Sequence, residues 1–234
     1  MLIERWHPVT SDLGLVNASV QECVDSFTAW HDSIGLRYTS RPAISFAESL
    51  ELLLPLSAEM RRRAFVPTAA PGWTALFQSG ISGSDPFPAT SMLATKLLKV
   101  LGMRICVAPP KATWPAVIWE VYAPHELGGD SPLGYRRSIA AMNDGGRWVF
   151  ETSGQPYPFE QLASYSLPRK RDRFTRDMLL EYVSHFGLSP LSDSFYPVSS
   201  GQPAVVLQRA NRWDKAPPEF TLEQVVAGMP WHQS

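Results

Sequence analysis

The side chains best able to do chemistry here are scattered, and each pattern stops short of a motif. Glu120, His125, Glu126 and Asp130 fall around one glycine-rich stretch. Four oxygen and nitrogen donors on a loop are the material of a cation site. However, His125-Glu126 lacks the second histidine that zinc would need, and His7, His31, His125, His185 and His232 lie outside metal-ligand spacing of one another. No metal and no cofactor are expected. Ser82 has Gly80 two residues before it but Ser84 two after, so the nucleophile-elbow pattern G-x-S-x-G fails. Neither Gly-rich phosphate motif is present. The loop Ser79–Ser84 does precede a helical pattern, where free N–H groups favour an anion. Asp85 takes that place as an N-cap and would repel a phosphate. Cys23 and Cys106 sit among apolar residues and read as small buried hydrophobes, not as activated thiolates.

Two basic runs stand out: Arg61-Arg62-Arg63, and Arg169-Lys170-Arg171-Asp172-Arg173 with Arg176. If the two converged they could track a phosphate backbone. The simpler expectation is solvated or ion-paired surface. Arg173 and Arg176 near a helix N-terminus oppose its dipole unless paired, which favours a protein or intramolecular contact for Arg171 and Arg173. Aromatic residues crowd the expected strands. Trp73 and Phe77 share a face, as do Trp148 and Phe150, by the two-residue period. A bulky sheet core explains them. A functional version is a partly open aromatic face with Arg147 beside Trp148, the residue types that dominate binding hot spots.

Composition sets outer bounds. The chain has 234 residues, 21 prolines, 18% charged residues and a net charge of −1. Near-neutral charge gives no global pull toward nucleic acid or an anionic membrane. Low charge and high proline exclude a long coiled coil, and 44% apolar residues argue against disorder. No apolar run is long enough to cross a bilayer. Glu4 and Arg5 interrupt the first apolar residues, so no signal peptide is expected. With two cysteines and no disulfide framework, the expected location is the cytoplasm.

These side chains must be held by elements that the pattern partly reveals. Residues 2–7 suggest an edge strand ended by Pro8. Ser19 caps a helix from Val20 to a stop at Gly35, and Ser45 with Glu48 opens a second over Phe46–Leu54. Strands are expected at 64–66, 73–78, 103–108 and 116–123. A helix from Pro86 to about Leu101, with Met92, Leu93, Leu97 and Val100 on one stripe, is a candidate crossover. Residues 135–142 and 147–152 flank Asn143-Asp144-Gly145-Gly146, which predicts a hairpin with a four-residue loop. A helix over 176–186 capped by Thr175, a strand over 204–208, and a capped helix at Thr221 closed by Gly228 and Pro230 follow. The prediction is α+β: a largely antiparallel, or mixed, sheet covered by helices. It forms one domain over 1–234, with a weak boundary near 55–64 between a helical N-terminal part and a sheet-rich remainder.

Two stretches carry a resemblance: WTALFQSGISGSDPF at 73–87, and RSIAAMNDGGRWVFETSGQPYPFE at 137–160 with RDRFTRDMLLEY at 171–182. Together they resemble a set of uncharacterised bacterial proteins, and that resemblance implies no activity. In organisation the chain is similar to small immunity proteins of bacterial toxin systems. The leading expectation is therefore a non-catalytic binding protein with a protein partner. Trp73, Asp85, Asp144, Arg147, Trp148, Arg171 and Arg173 are its candidate binding residues, with no catalytic residue assigned. The alternatives are a hydrolase-like enzyme with a dispersed site on the 79–85, 124–130 and 143–147 loops, and nucleic-acid binding through the two arginine runs.

Overall fold

The computed structural model describes residues 2–82, 85–130, 133–210 and 217–228. Pro230 and His232 therefore lie outside the described residues, as do Gly83 and Ser84 of the polar loop.

The strands are β1 (Asp12–Val16), β2 (Tyr38–Ala43), β3 (Arg62–Pro67), β4 (Thr74–Gln78), β5 (Gly102–Ala108), β6 (Ala116–Tyr122), β7 (Tyr135–Asp144), β8 (Arg147–Gly154) and β9 (Ala204–Arg209). They form one nine-stranded sheet in the order β2-β9-β3-β4-β1-β5-β6-β7-β8. Every neighbouring pair is antiparallel. With the helices this is the expected α+β fold. The helical N-terminal part supplies β1 and β2 to the same sheet, so strands do not begin only after residue 55.

The helices are α1 (Leu2–Arg5), α2 (Val20–Ser33), α3 (Phe46–Glu51), α4 (Phe87–Met92), α5 (Arg176–Ser184) and α6 (Leu222–Val226). Residues 2–5 are thus helical, not an edge strand. Ser19 and Glu22 close a capping box on α2, and Thr175 accepts from the Met178 N–H at the start of α5. α3 ends three residues before its expected stop, at Glu51. α3 and α5 pack on one face of the sheet through Phe46, Leu50, Met178, Leu179, Tyr182 and Val183. α2 and α4 pack on the other through Cys23, Val24, Phe27, Ala89 and Leu93.

Two details differ from the sequence expectation for physical reasons. α4 continues as a π turn over Leu93–Leu97. The wider turn rotates the apolar stripe, so Leu93 is buried while Leu97 is exposed. Asp85 does not cap this helix; Pro86 holds the cap position with no side-chain bond. β4 and β5 each run antiparallel to β1, so they are parallel to each other, and α4 is the crossover that carries the chain over β1. The hairpin turn also tightens. β7 and β8 extend to Asp144 and Arg147, leaving Gly145-Gly146 as a two-residue turn. Their φ values of 59° and 90° suit the I′ geometry that only such residues adopt freely.

Candidate functional site

The five strands β1 and β5–β8 bring one set of ends together: the start of β1, the end of β5, the start of β6 and the β7–β8 turn. On the face shared with α2 and α4, side chains two residues apart project together. That alternation places Asp12, Arg104, Cys106, Glu120 and Tyr122 side by side across three neighbouring strands.

Arg104 is the hub. Its Nε donates to Asp12 Oδ1 at 3.0 Å, and its Nη2 donates to Asp12 Oδ2 at 2.6 Å. Its Nη1 reaches Glu120 Oε2 at 3.5 Å. Glu120 also accepts from the Tyr122 hydroxyl, and from the Tyr135 hydroxyl at 3.5 Å. Both carboxylates are buried. Burial lifts the Asp12 carboxyl to about 6, the charges of Asp85 and Glu120 adding to it and Arg104 opposing. Burial likewise raises Tyr135 to about 12, with the Glu120 charge next. Burial works against the Arg104 cation, but Asp12 and Glu120 outweigh it and raise its pKa. Burial pushes the Cys106 thiol well up.

Beside this cluster, Cys106, Ala116, Ile118 and Ala140 make a small apolar patch of their own. A cleft of about 660 Å³ opens over Asp12, Arg104 and this patch. Ile81, Ser82, Asn143, Asp144, Trp114 and Lys111 also line it. It therefore joins two of the three loops expected to bear a dispersed site, 79–85 and 143–147. The third, 124–130, faces a different cleft through Gly128 and Asp130, with Arg136 and Tyr157.

A second cleft, also about 660 Å³, lies on the opposite face of the same strand ends. Val107, Val117, Trp148, Phe174 and Leu191 give it an apolar lining, and Arg171 and Arg176 sit at its edge. The two clefts share His7, Ser11, Ala108, Pro109 and Ala116, so they stand back to back across one rim. On that rim the Ser11 hydroxyl lies 2.5 Å from His7 Nδ1. Burial lowers the His7 pKa, which favours the neutral ring.

The expected binding residues divide accordingly. Asp144 lines the first cleft, and Asp85 acts on its floor through charge. Trp148 and Arg171 meet in the second. Arg147 is exposed opposite Asp144 in the hairpin. Arg173 donates to the Leu167 carbonyl at 2.6 Å and lies over the Phe150 ring at 5.6 Å. Trp73 is not part of this constellation. It sits before Thr74, which pairs with Val16 at the far end of β1, and it packs against the core. The two arginine runs do not converge. β3, which follows Arg61, and β8, against which residues 170–172 pack, are six strand spacings apart, roughly 29 Å at ~4.8 Å each. Arg62 donates to the Pro55 carbonyl, and Arg63 donates to the Tyr38 hydroxyl beneath α2. Glu120 is buried away from the exposed His125, Glu126 and Asp130. Among the described residues no group of three His, Cys, Asp or Glu side chains is arranged to hold a metal.

Asp12, Arg104, Ser11 and His7 were not expected, and Glu120 was weighed only as a donor to a cation with the 124–130 loop. A usable signal exists for two of them: a lone charge inside an apolar strand, Arg104 in GMRICVA and Glu120 in AVIWEVY. Such a charge must find a buried partner. No known family, curated protein or solved structure matches this chain.

Proposed function

We propose that this protein binds a small organic ligand, without covalent chemistry, in the cleft over Asp12, Arg104, Cys106 and Ile118. The observation that carries this reading is the union of an apolar wall with a buried ionic floor in one cleft of about 660 Å³. Ligand sites are typically concave, mostly apolar, and fitted with a few fixed polar groups. The two unbridged cysteines support a reducing compartment such as the cytoplasm. A protein partner, the leading expectation from the missing motifs and the Trp- and Arg-rich sheet, has less behind it. Trp148 and Arg171 share the second cleft, but Trp73 is remote from both.

Fragment screening by protein-observed NMR tests the reading. Binders should shift the amides of Cys106, Ile118 and Asn143, and a Met142→Trp substitution, which fills the cleft, should abolish those shifts. Shifts that are absent or spread over the surface would overturn it.

A second reading has its own observation. Ser11 and neutral His7 make a nucleophile–base contact, through Nδ1 in place of the Nε2 that the serine-hydrolase triad uses, and they sit on the rim of the same cleft. Labelling by a fluorophosphonate that Ser11→Ala abolishes would support acyl hydrolysis. No labelling would end this second reading and leave the first intact.

A further inference from the structure

We infer that the cleft ligand is a small amine with an apolar body, and that its ammonium group is held by Asp12. This rests on the small-ligand reading above and adds the charge of the ligand.

Asp12 and Glu120 are buried, and Asp85 lies close enough to act on Asp12. One half-buried guanidinium, Arg104, serves the two buried carboxylates, and two of its nitrogens are already bonded to Asp12; Asp85 itself is exposed. Buried negative charge without compensation is costly. It is relieved by a proton on Asp12 or by a cation beside it. Independent of the carboxylates, two polar atoms buried on this face have no partner among the described residues. One is Gln78 Oε1, on a residue only 2% exposed. Gln78 projects from the same face as Leu76, and extending the β1–β4 register by two residues sets it beside Asp12. The other is Thr90 Oγ1, on a fully buried residue that presses on the sheet at Gly14, next to Arg104. Gln78 beside Asp12 and Thr90 beside Gly14 thus leave two buried oxygens unpartnered on the strand positions adjoining the carboxylate that lines the cleft. An ammonium brings three donors and one positive charge, and Ile81, Ile118, Met142 and Trp114 would take its apolar body.

Ammonium binding requires Asp12 to be ionised, so below pH 6 each binding event releases a proton. Affinity should rise with pH and level off above about pH 6. Other groups facing Asp12 are Arg104 and Cys106 from β5, Glu120 and Tyr122 from β6, Tyr135 from β7 and Asp85 before α4. His7 and Ser11 precede β1, and Lys111 and Asp144 line the same cleft. Of these, His7 also titrates below 6.5 and needs its own control.

The probes are 2-phenylethylamine, 2-phenylethanol and phenylacetate, followed by amide shifts at pH 5.0 and 7.5. The amine should bind at pH 7.5 at least tenfold more tightly than either partner, and about tenfold more weakly at pH 5.0. His7→Gln should keep that pH dependence, and Asp12→Asn should lose both it and the preference for the amine. Should Asp12→Asn fail to fold, Gln78→Met leaves Asp12 in place. It should weaken the amine several-fold and keep the pH dependence. If the alcohol or the acid binds as well as the amine, the inference fails and the small-ligand reading stands. Equal amine affinity at both pH values also overturns it. If all three probes leave Cys106, Ile118 and Asn143 unmoved, the small-ligand reading itself falls.

Discussion

Asp12 and Arg104 meet in a two-pronged contact across neighbouring strands, with Nε at 3.0 Å and Nη2 at 2.6 Å from the two carboxylate oxygens. Even so, burial prevails, and the Asp12 carboxyl titrates at about 6 instead of its ordinary 3.8. Carbon-detected NMR should show that midpoint. The sign for stability follows from the raised folded-state value. Between pH 4 and 6 the native state holds a proton that the unfolded chain has lost. Stability from this group is therefore greatest at low pH and falls as pH rises through that window. At ~1.4 kcal/mol per pKa unit the loss amounts to at most roughly 3 kcal/mol. Glu22 and Glu223 shift the other way, Glu22 lowered by its hydrogen bonds with Ser19, and Glu223 by its own backbone N–H and then by Thr221. The clean measure is thus the urea midpoint of wild type minus that of Asp12→Asn, which should fall from pH 4 to pH 6.5.

Arg137 and Glu160 form the most buried ion pair described, with side chains 3% and 0% exposed. Nε and Nη2 of Arg137 reach the two Glu160 oxygens at 2.9 and 2.6 Å. Glu160 also accepts from the Tyr157 N–H and the Tyr165 hydroxyl. Arg137→Met leaves this carboxylate buried and unpaired, and should cost about 3–5 kcal/mol in denaturant unfolding. The double variant Arg137→Met, Glu160→Leu should recover part of that loss.

Gly14 is one of the places where α4 touches the sheet. A Cβ there would stand 2.1 Å from Thr90 Oγ1 and 3.1 Å from Pro86 Cβ. Gly14→Ala should destabilise by about 1–3 kcal/mol through overpacking. Adding Thr90→Ala should restore most of it, because the closest clash is with the hydroxyl.

Cys23 and Cys106 are buried thiols, and burial raises the first to about 12 and the second well above its usual value. Since the thiolate is the reactive form, an Ellman-type reagent at pH 8 should modify neither within minutes in the native state and both on unfolding. Rapid modification of native Cys106 would contradict this.

What the sequence disclosed depended on whether the signal was local. Ser19 and Thr175 act on N–H groups three residues away, and both helix starts were legible. β7 and β8 alternate and are joined by Gly145-Gly146, so the hairpin was visible, though not its tight turn. β1 was missed because it is the central strand. Leu13 and Leu15 are buried on one face, Asp12 and Gly14 on the other, so it has no polar face to alternate with. β2 was missed for the opposite reason. It is a mostly exposed edge strand carrying Pro42 in its interior, which an edge tolerates. The ionic floor joins residues from positions 12, 104 and 120, which no spacing rule connects. Only the lone charges in β5 and β6 hinted at it.

The placement of β9 bears on how the chain is made. β2 has a single neighbour in the sheet, and that neighbour is β9. A ribosome adding about 5–20 residues per second takes on the order of ten seconds to pass from Ala43 to Ala204. Until then β2 is a strand without a sheet and β3 shows a raw edge. Such edges recruit strands from other chains. Polypeptides released before Ala204 should accordingly clump, which makes the last strand the step that turns a nascent liability into a finished sheet.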